Sequence, residues 1–442
     1  MSEHKTITNH RKQRGISRRD VLKSTGAAAL GAATMAPKAS SAFAAPAVIQ
    51  NEPVTLTYAT WFWWEPGRQD AWRFIVEKFN SSQNDIRIEE GGWPFNDFTR
   101  NIIVQAQAGG VEADLVQTTP DLVLRLLDAN QIAPVQDVVD SLGITTLNPA
   151  HNYITIDGQV YGLDVVTVAF GLFYNAAMYE GAGISSLPAS TDEWLTVSEQ
   201  LTERPNQFGS FSPHVLAEPE SFWFTLQQWA MPFGGLWAEG DTPLVTSEPI
   251  LNAVSLFKNF YDRTFPQGTN EATANRMWAN QQIASELIVS AAVNTYKAEA
   301  PEFYPNIRSM PLPWEGKDTI ARIHPITVNA NGEHVDEAKH FLEFLYTPEN
   351  YRELLTRSLD VIPAYDVGGL DDYFADIQWL EGFQDVNYLT PPDVVGDFVH
   401  NNQEFGQIVI SKVSEVLTGN QAVEDAMADA QVELEDLASR LE

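Results

Sequence analysis

Between Val54 and Thr60 apolar and polar residues alternate and β-branched types recur, which predicts a strand with one buried face. Ala71 to Phe79 then reads with helical spacing, Ile86 to Glu90 as a second strand, and Phe95 to Ala108 as a second helix. After Gly109-Gly110, Asp114 to Gln117 predicts a buried third strand, followed by a helix over Leu122 to Ala129 and the short apolar run Ile132-Ala133-Pro134-Val135. This strand–helix alternation predicts an α/β layer on a largely parallel sheet. Ligands of such sheets bind beyond the carboxyl ends of the strands, which directs attention to the loops after Thr60, Glu90 and Gln117. Ser198 to Leu287 is helix-rich and aromatic. The final stretch, Asn420 to Glu442, places Val423, Met427, Ala430, Leu434, Leu437 and Leu441 on one helical stripe, with Asn420 as the expected cap.

The centre of the chain carries punctuation of a different kind. Asp157-Gly158 is a tight-turn dipeptide between two strand-like runs, and an apolar run follows it to Phe173-Tyr174-Asn175. Gly183 stops a short helix, and Ser190 with Glu193 three residues on forms a capping box for the next one. A chain of 442 residues with 44% hydrophobic content exceeds what one core usually holds, so two lobes are expected. No repeat of 20 to 50 residues and no low-complexity linker is present, so several short crossings should join the lobes.

Taken in order, these segments resemble the extracellular solute-binding proteins of ABC importers, in particular the carbohydrate-type family that includes maltose-binding protein. The block Asp157 to Trp194 carries the resemblance first. Gly109 to Gln117, Leu126 to Pro134, Trp278 to Val293, Ala338 to Leu345 followed by Thr347-Pro348-Glu349, Ile362-Pro363 and the final helix extend it over essentially the whole chain beyond the leader. The resemblance implies an α/β, two-lobed periplasmic-binding-protein-like fold with three interlobe crossings and a cleft. Lobe one would comprise residues 46–163 plus 308–328, and lobe two 170–305 plus 332–442. The crossings would lie near Asp164–Ala169, Asn306–Met310 and Asn329–Gly332. It further implies a protein that captures a solute and hands it to permease subunits in the inner membrane without transforming it.

The N-terminus sets the expected compartment. Ser17-Arg18-Arg19-Asp20-Val21-Leu22-Lys23 fits the twin-arginine export pattern, and a Gly/Ala run leads to a small-residue cleavage site at Ala42-Phe43-Ala44. Residues 1–44 are therefore expected to be a signal peptide, and the mature chain a soluble periplasmic protein. The chain has no cysteine, which excludes disulfides, thiolate metal sites, a cysteine nucleophile and a lipid anchor attached through cysteine. Lys and Arg number 27 against 59 Asp and Glu, a formal charge of −32 that makes nucleic acid and anionic membranes poor partners. The acidic residues form no block, so a solvated monomer surface is expected.

A sugar presents an apolar C–H face and a rim of hydroxyls, so its cleft needs aromatic platforms together with carboxylates, amides or Arg. Twelve tryptophans are available. After strand one comes Trp61-Phe62-Trp63-Trp64-Glu65-Pro66-Gly67, of which Trp63, Trp64 and Glu65 are the cleft candidates, with packing beneath a loop as the alternative. After strand two, Asn96 and Asp97 stand beside Trp93, and Asn96 serves the cleft or a helix cap. After strand three, Thr119 and Asp121 offer a hydroxyl and a carboxylate, with helix capping the rival role for Asp121. Asp164 stands at a crossing where the resembling family usually has Pro. From lobe two Trp223 and Trp278 are the candidates, with Trp229, Trp237 and Trp314 assigned to core or rim. Arg322 and His324 lie in an apolar segment before a crossing and are expected to point inward, a structural histidine being the alternative for His324.

A small-molecule carbohydrate is thus the expected ligand, with no cofactor and no metal. Two alternatives stay open. One is a phosphorylated polyol or other small polar solute with Arg322 as anion clamp. The other is an exported carbohydrate hydrolase pairing Glu65 with Asp97, Asp121 or Asp164; against it, the chain holds no G-x-S-x-G, no H-E-x-x-H and no histidine cluster.

Overall fold

A computed structural model describes residues 52–383, 387–389 and 395–441; the segment 1–44 expected to be a twin-arginine signal peptide lies outside the described residues. Strands β1 (Val54–Ala59), β2 (Ile86–Gly91), β3 (Leu115–Gln117) and β4 (Ile132–Ala133) alternate with the helices Arg68–Ser82, Phe95–Ala108 and Pro120–Asp128. β1 runs parallel to both β2 and β3, as the alternating pattern predicts. A hairpin of β5 (Thr155–Ile156) and β6 (Gln159–Val160) turns through Asp157 and Gly158, whose φ values of 50° and 76° suit a primed two-residue turn. There follow β7 (Leu163–Asn175), a small hairpin of β8 (Ala238–Glu239) and β9 (Thr242–Pro243), then β10 (Ser285–Val289), β11 (Ile307–Met310), β12 (Asp318–Asn329) and β13 (Asn387–Leu389).

The main sheet has the order β10-β7-β12-β3-β1-β2, with β11 beside β7 and with β4 and β13 beside β12. Its two long members, β7 and β12, run antiparallel with a register shift between Ile323 and Pro325. Both strands serve two hydrophobic cores. Val165, Val166 and Val168 of β7 and Ile323, Ile326 and Val328 of β12 join a first core with Tyr58, Trp72, Phe79, Leu115 and Val123. Phe170 and Leu172 of β7 and Ile320 of β12 join a second core with Phe222, Trp229, Phe257, Phe260, Val409 and Leu434. A third cluster of Phe173, Trp278, Tyr296, Phe303 and Trp379 flanks the β10 side.

Core membership differs from the lobe limits that the resemblance implies. The helices Val335–Leu345 and Pro348–Arg357 fall in the segment assigned to lobe two, yet Phe341, Leu345 and Leu354 are buried in the first core. The stripe Ala338, Phe341, Leu342, Leu345 needs an apolar partner, and the helix Arg68–Ser82 supplies one: the Phe79 and Phe341 rings meet edge to face at 5.1 Å. Conversely Met310, Leu312 and Trp314, within the stretch assigned to lobe one, pack in the second core.

Local signals hold where a side chain closes a turn. The Glu193 amide donates to Ser190 Oγ at 3.1 Å, the first half of the capping box expected there, while the Glu193 carboxylate reaches one residue further back and accepts the Ala189 amide at 2.8 Å. The final helix, Val423–Ala438, buries Met427, Ala430, Leu434 and Leu437 as its spacing requires. Asn420 is not its cap, however. The helix begins after Ala422, and Asn420 Nδ2 donates to Thr418 Oγ1 at 2.9 Å, serving the preceding turn.

Candidate functional site

Two adjoining cavities, of about 230 and 270 Å³, lie where the strand ends of the first core face the helices of the second. Asn96, Phe224 and Arg322 line both, so together they form one cleft with Arg322 at its waist.

The aromatic run after β1 shows how local backbone decides which ring reaches this space. The chain leaves the strand and makes a 3₁₀ turn over Phe62–Trp64, so successive side chains fan out about 120° apart instead of alternating. Trp61 lines the first cavity, held edge to face against Phe98 at 5.0 Å and His324 at 5.3 Å. Trp63 turns into the first core: its indole N–H donates to the Tyr58 carbonyl at 3.2 Å and its ring packs on Tyr58 and Trp72. Trp64 is 47% exposed and lines neither cavity. Glu65, just beyond the turn, lines the first.

The other candidates divide similarly. Asn96 is the second residue of its helix and faces both cavities, whereas Asp97 points to solvent and pairs with Arg100 at 2.6 Å. Thr119 is the N-cap residue of the helix Pro120–Asp128 and donates its hydroxyl to Asp121 Oδ1 at 2.5 Å; only Asp121 lines the second cavity. Trp223 lines that cavity too, with its N–H donating to Asn402 Oδ1 at 3.2 Å and its ring lying on Gly406. A Cβ on Gly406 would sit 2.6 Å from the indole, so this glycine makes room for the ring. Trp278 lies in the third cluster against Tyr296 and Phe303 and lines neither cavity. Trp229, Trp237 and Trp314 lie in the second core.

Asp164 is fully buried and braces the crossing of β7 over β12. Its Oδ1 accepts the His324 amide at 2.7 Å and the Val166 amide at 3.1 Å, and its Oδ2 accepts the Thr167 hydroxyl at 2.7 Å. Burial outweighs those bonds and pushes its carboxyl up to about 7. Arg322 and His324, two apart on β12, share a face and both line the first cavity. The Arg322 guanidinium lies over Phe224 at 4.9 Å and Phe95 at 5.8 Å, with Nη2 3.8 Å from Glu220. His324 is held well below its ordinary pKa by burial and by the neighbouring Arg322 and Arg68, which keeps the imidazole neutral.

Several lining residues gave no sequence signal as site residues. Arg68, in the first turn after Gly67, is buried and bonds Asp360, with Glu65 3.5 Å away on its other nitrogen. Burial drives the Glu65 carboxyl up to about 7, partly countered by Arg68 and reinforced by Asp360. Glu271 opens the helix Glu271–Ala279 and is also pushed up to about 7, chiefly by burial, with the Ser221 hydroxyl countering and the Glu218 and Glu65 charges adding to the rise. Behind it Glu286 is buried on β10, raised to about 8, and accepts the Tyr296 hydroxyl. Phe224 was discoverable only as the neighbour of Trp223, and Glu271 reads from sequence as one more helix-start carboxylate.

The chain belongs to the bacterial extracellular solute-binding proteins, whose family model matches residues 75–375. A binding protein of Brucella abortus (strain 2308) is 21% identical over 291 residues, 65% of this chain and 69% of that relative. Solved structures with the same fold include an ABC transporter solute-binding protein of Thermotoga lettingae bound to α-D-tagatose, with TM-score 0.75, 17% identity and coverage of 87% of this chain and all of that one. The maltose-bound MalE3 of T. maritima gives TM-score 0.75 at 16% identity, covering 87% and 100%. The GacH receptor of Streptomyces glaucescens, solved unliganded and with acarbose, gives 0.74 at 14% identity, covering 88% and 100%. These neighbours establish the two-lobed periplasmic-binding-protein fold. Among the described residues no helix is long and apolar enough to cross a membrane, and no group of three or more His, Asp or Glu is placed to hold a metal ion.

Proposed function

We propose that this protein is the periplasmic, monomeric substrate-binding component of an ABC importer, which captures a sugar or small oligosaccharide between its lobes and presents it to the membrane permease. The observation that carries the reading is the pair of cavities around Arg322, lined by aromatic rings together with carboxylates, amides and hydroxyls contributed by both cores. Sugar-bound neighbours of the same fold support it. The lobes would meet along β7 and β12, with the helices over 335–357 counted with lobe one. Export would follow the twin-arginine route, and the ligand would leave unchanged. We assign the ligand contacts to Glu65, Asn96, Asp121, Trp223, Arg322 and His324, joined by Trp61, Phe224 and Glu271.

Ligand held from both sides favours the closed arrangement, and about 2–3 kcal/mol of preference moves a mostly open population to a mostly closed one. Neither alternative gains support. The anion-clamp reading needs Arg322 for phosphate, but Glu220 already engages it. The hydrolase reading pairs Glu65 with Asp97, Asp121 or Asp164, but Asp97 and Asp164 lie outside both cavities and Asp121 lines the second cavity whereas Glu65 lines the first. For Glu65 and Glu271, which share the first cavity, recovery of the bound compound decides. A thermal-shift screen over sugars, polyols and their phosphates, with recovery of the bound compound, tests the reading. A sugar that raises Tm and returns intact is expected; a recovered hydrolysis product, or stabilisation only by phosphates, would overturn it.

A further inference from the structure

The first cavity holds more acid than its own cations neutralise. Arg68 is shared between Asp360, which it bonds, and Glu65 at 3.5 Å. Arg322 is occupied by Glu220 and by the faces of Phe224 and Phe95. Glu271 has only the Ser221 hydroxyl as a favourable partner and stands near the carboxylates Glu218 and Glu65; among the described residues it makes no ion pair. A neutral sugar could bond these carboxyls through its hydroxyls, but it would leave their mutual repulsion in place. A ligand ammonium removes that repulsion and gains from the aromatic surface of Trp61 and Phe170 in the same volume.

We propose that the first cavity takes a polyhydroxylated amine, an amino sugar or amino polyol, whose protonated nitrogen sits against Glu271 and Glu65. This rests on the carbohydrate-capture reading and narrows it. The chain's formal charge of −32 adds a long-range attraction for such a cation. Because both carboxyls stand near 7 without ligand, an arriving ammonium draws them to ionise, and binding releases protons at neutral pH.

Titration calorimetry on the full chain decides it, using matched sets of glucosamine, glucose and N-acetylglucosamine, the corresponding β-1,4 disaccharides, and putrescine. We expect an amino sugar to bind at least tenfold more tightly than its neutral parent and its N-acetyl derivative. Its binding heat at pH 7 should differ between buffers of unlike ionisation enthalpy in the sense of proton release. Glu271→Gln should remove most of that margin and Glu65→Gln part of it, with cooperative unfolding retained in both variants. Glu299→Gln, on an exposed helix face, serves as the charge control and should leave the margin intact. Neutral sugars that bind without any amine preference, or a margin that survives both glutamine variants, would overturn this proposal and leave carbohydrate capture standing. Putrescine binding with every sugar rejected would overturn both.

Discussion

The two halves of the cleft obtain their polar groups from different kinds of structure. The first cavity draws charge from the loop after β1, from β12 and from the start of the helix Glu271–Ala279, and its carboxyls stand near neutrality. The second adds a face of amides, Gln227 from the helix Pro219–Ala230 and Asn402, Gln403 and Gln407 from the helix Asn402–Leu417, around the Trp223 indole, beside the charged Arg100, Asp121 and Glu220. Amides keep their hydrogen-bonding character at every pH, whereas buried carboxyls change it across the physiological range. The half lined by Glu65 and Glu271 should therefore respond to proton concentration, and the amide face around Trp223 should not.

Arg322 joins the halves, so its loss should break the contrast most severely. Arg322→Leu leaves Glu220 without its ion pair at 3.8 Å and both cavities without their shared wall. Breaking a buried pair by removing one partner costs about 3–5 kcal/mol, so chemical denaturation should show a loss of that order, and sugar binding should vanish from calorimetry. Next come the tryptophans. Trp63→Ala and Trp223→Ala should each destabilise by about 3–5 kcal/mol as buried large-to-small changes. Only Trp223→Ala should also weaken ligand binding, since Trp63 lines neither cavity; equal affinity losses in the two variants would break the assignment of rings.

The effect of pH is smaller and runs in two directions. Glu65 and Glu271 near 7, Asp164 near 7 and Glu286 near 8 all stand above their unfolded values, so the native chain holds protons that the unfolded chain has released. Their contribution to stability is full below the ordinary carboxyl pKa near 4 and is lost progressively as pH rises to about 7 to 8. His151, lowered to about 4 by burial, acts oppositely: below about 6.5 the unfolded chain takes up a proton that the native state refuses. The four raised carboxyls outweigh His151, so the ligand-free Tm should rise as pH falls from 8 and go on rising, less steeply, below about 6.5. Glu286→Gln should flatten the alkaline limb. The smallest effect belongs to Trp64→Ala, which should stay within about 0.5 kcal/mol of wild type in stability and leave affinity unchanged.

Legibility in the sequence follows the physics of each element. The N-terminal strand–helix alternation was readable because each strand there has one period and one core. β7 and β12 were not readable as shared straps: an apolar run looks the same whether it serves one core or two. Arg322 and His324 were readable because two polar residues two apart in an apolar run must share a face. The choice among Trp61, Trp63 and Trp64 was not, because the strand ends at Ala59 and the 3₁₀ turn begins at Phe62, and no propensity marks that boundary. Glu271 and Arg68 become distinctive only when chain-distant partners, Glu65 and Asp360, are brought alongside.

The sharing of β7 and β12 also governs when the molecule can assemble during synthesis. The first core needs Val328, Phe341, Leu354 and Tyr365 as well as Tyr58 and Leu115, so it stays incomplete until some 300 residues separate its earliest strand from the ribosome. Contacts at that sequence separation form slowly and leave early strands unpaired meanwhile. A nascent chain truncated before β12 should accordingly remain protease-sensitive along its entire length, where a protein with self-contained halves would already shelter its first one.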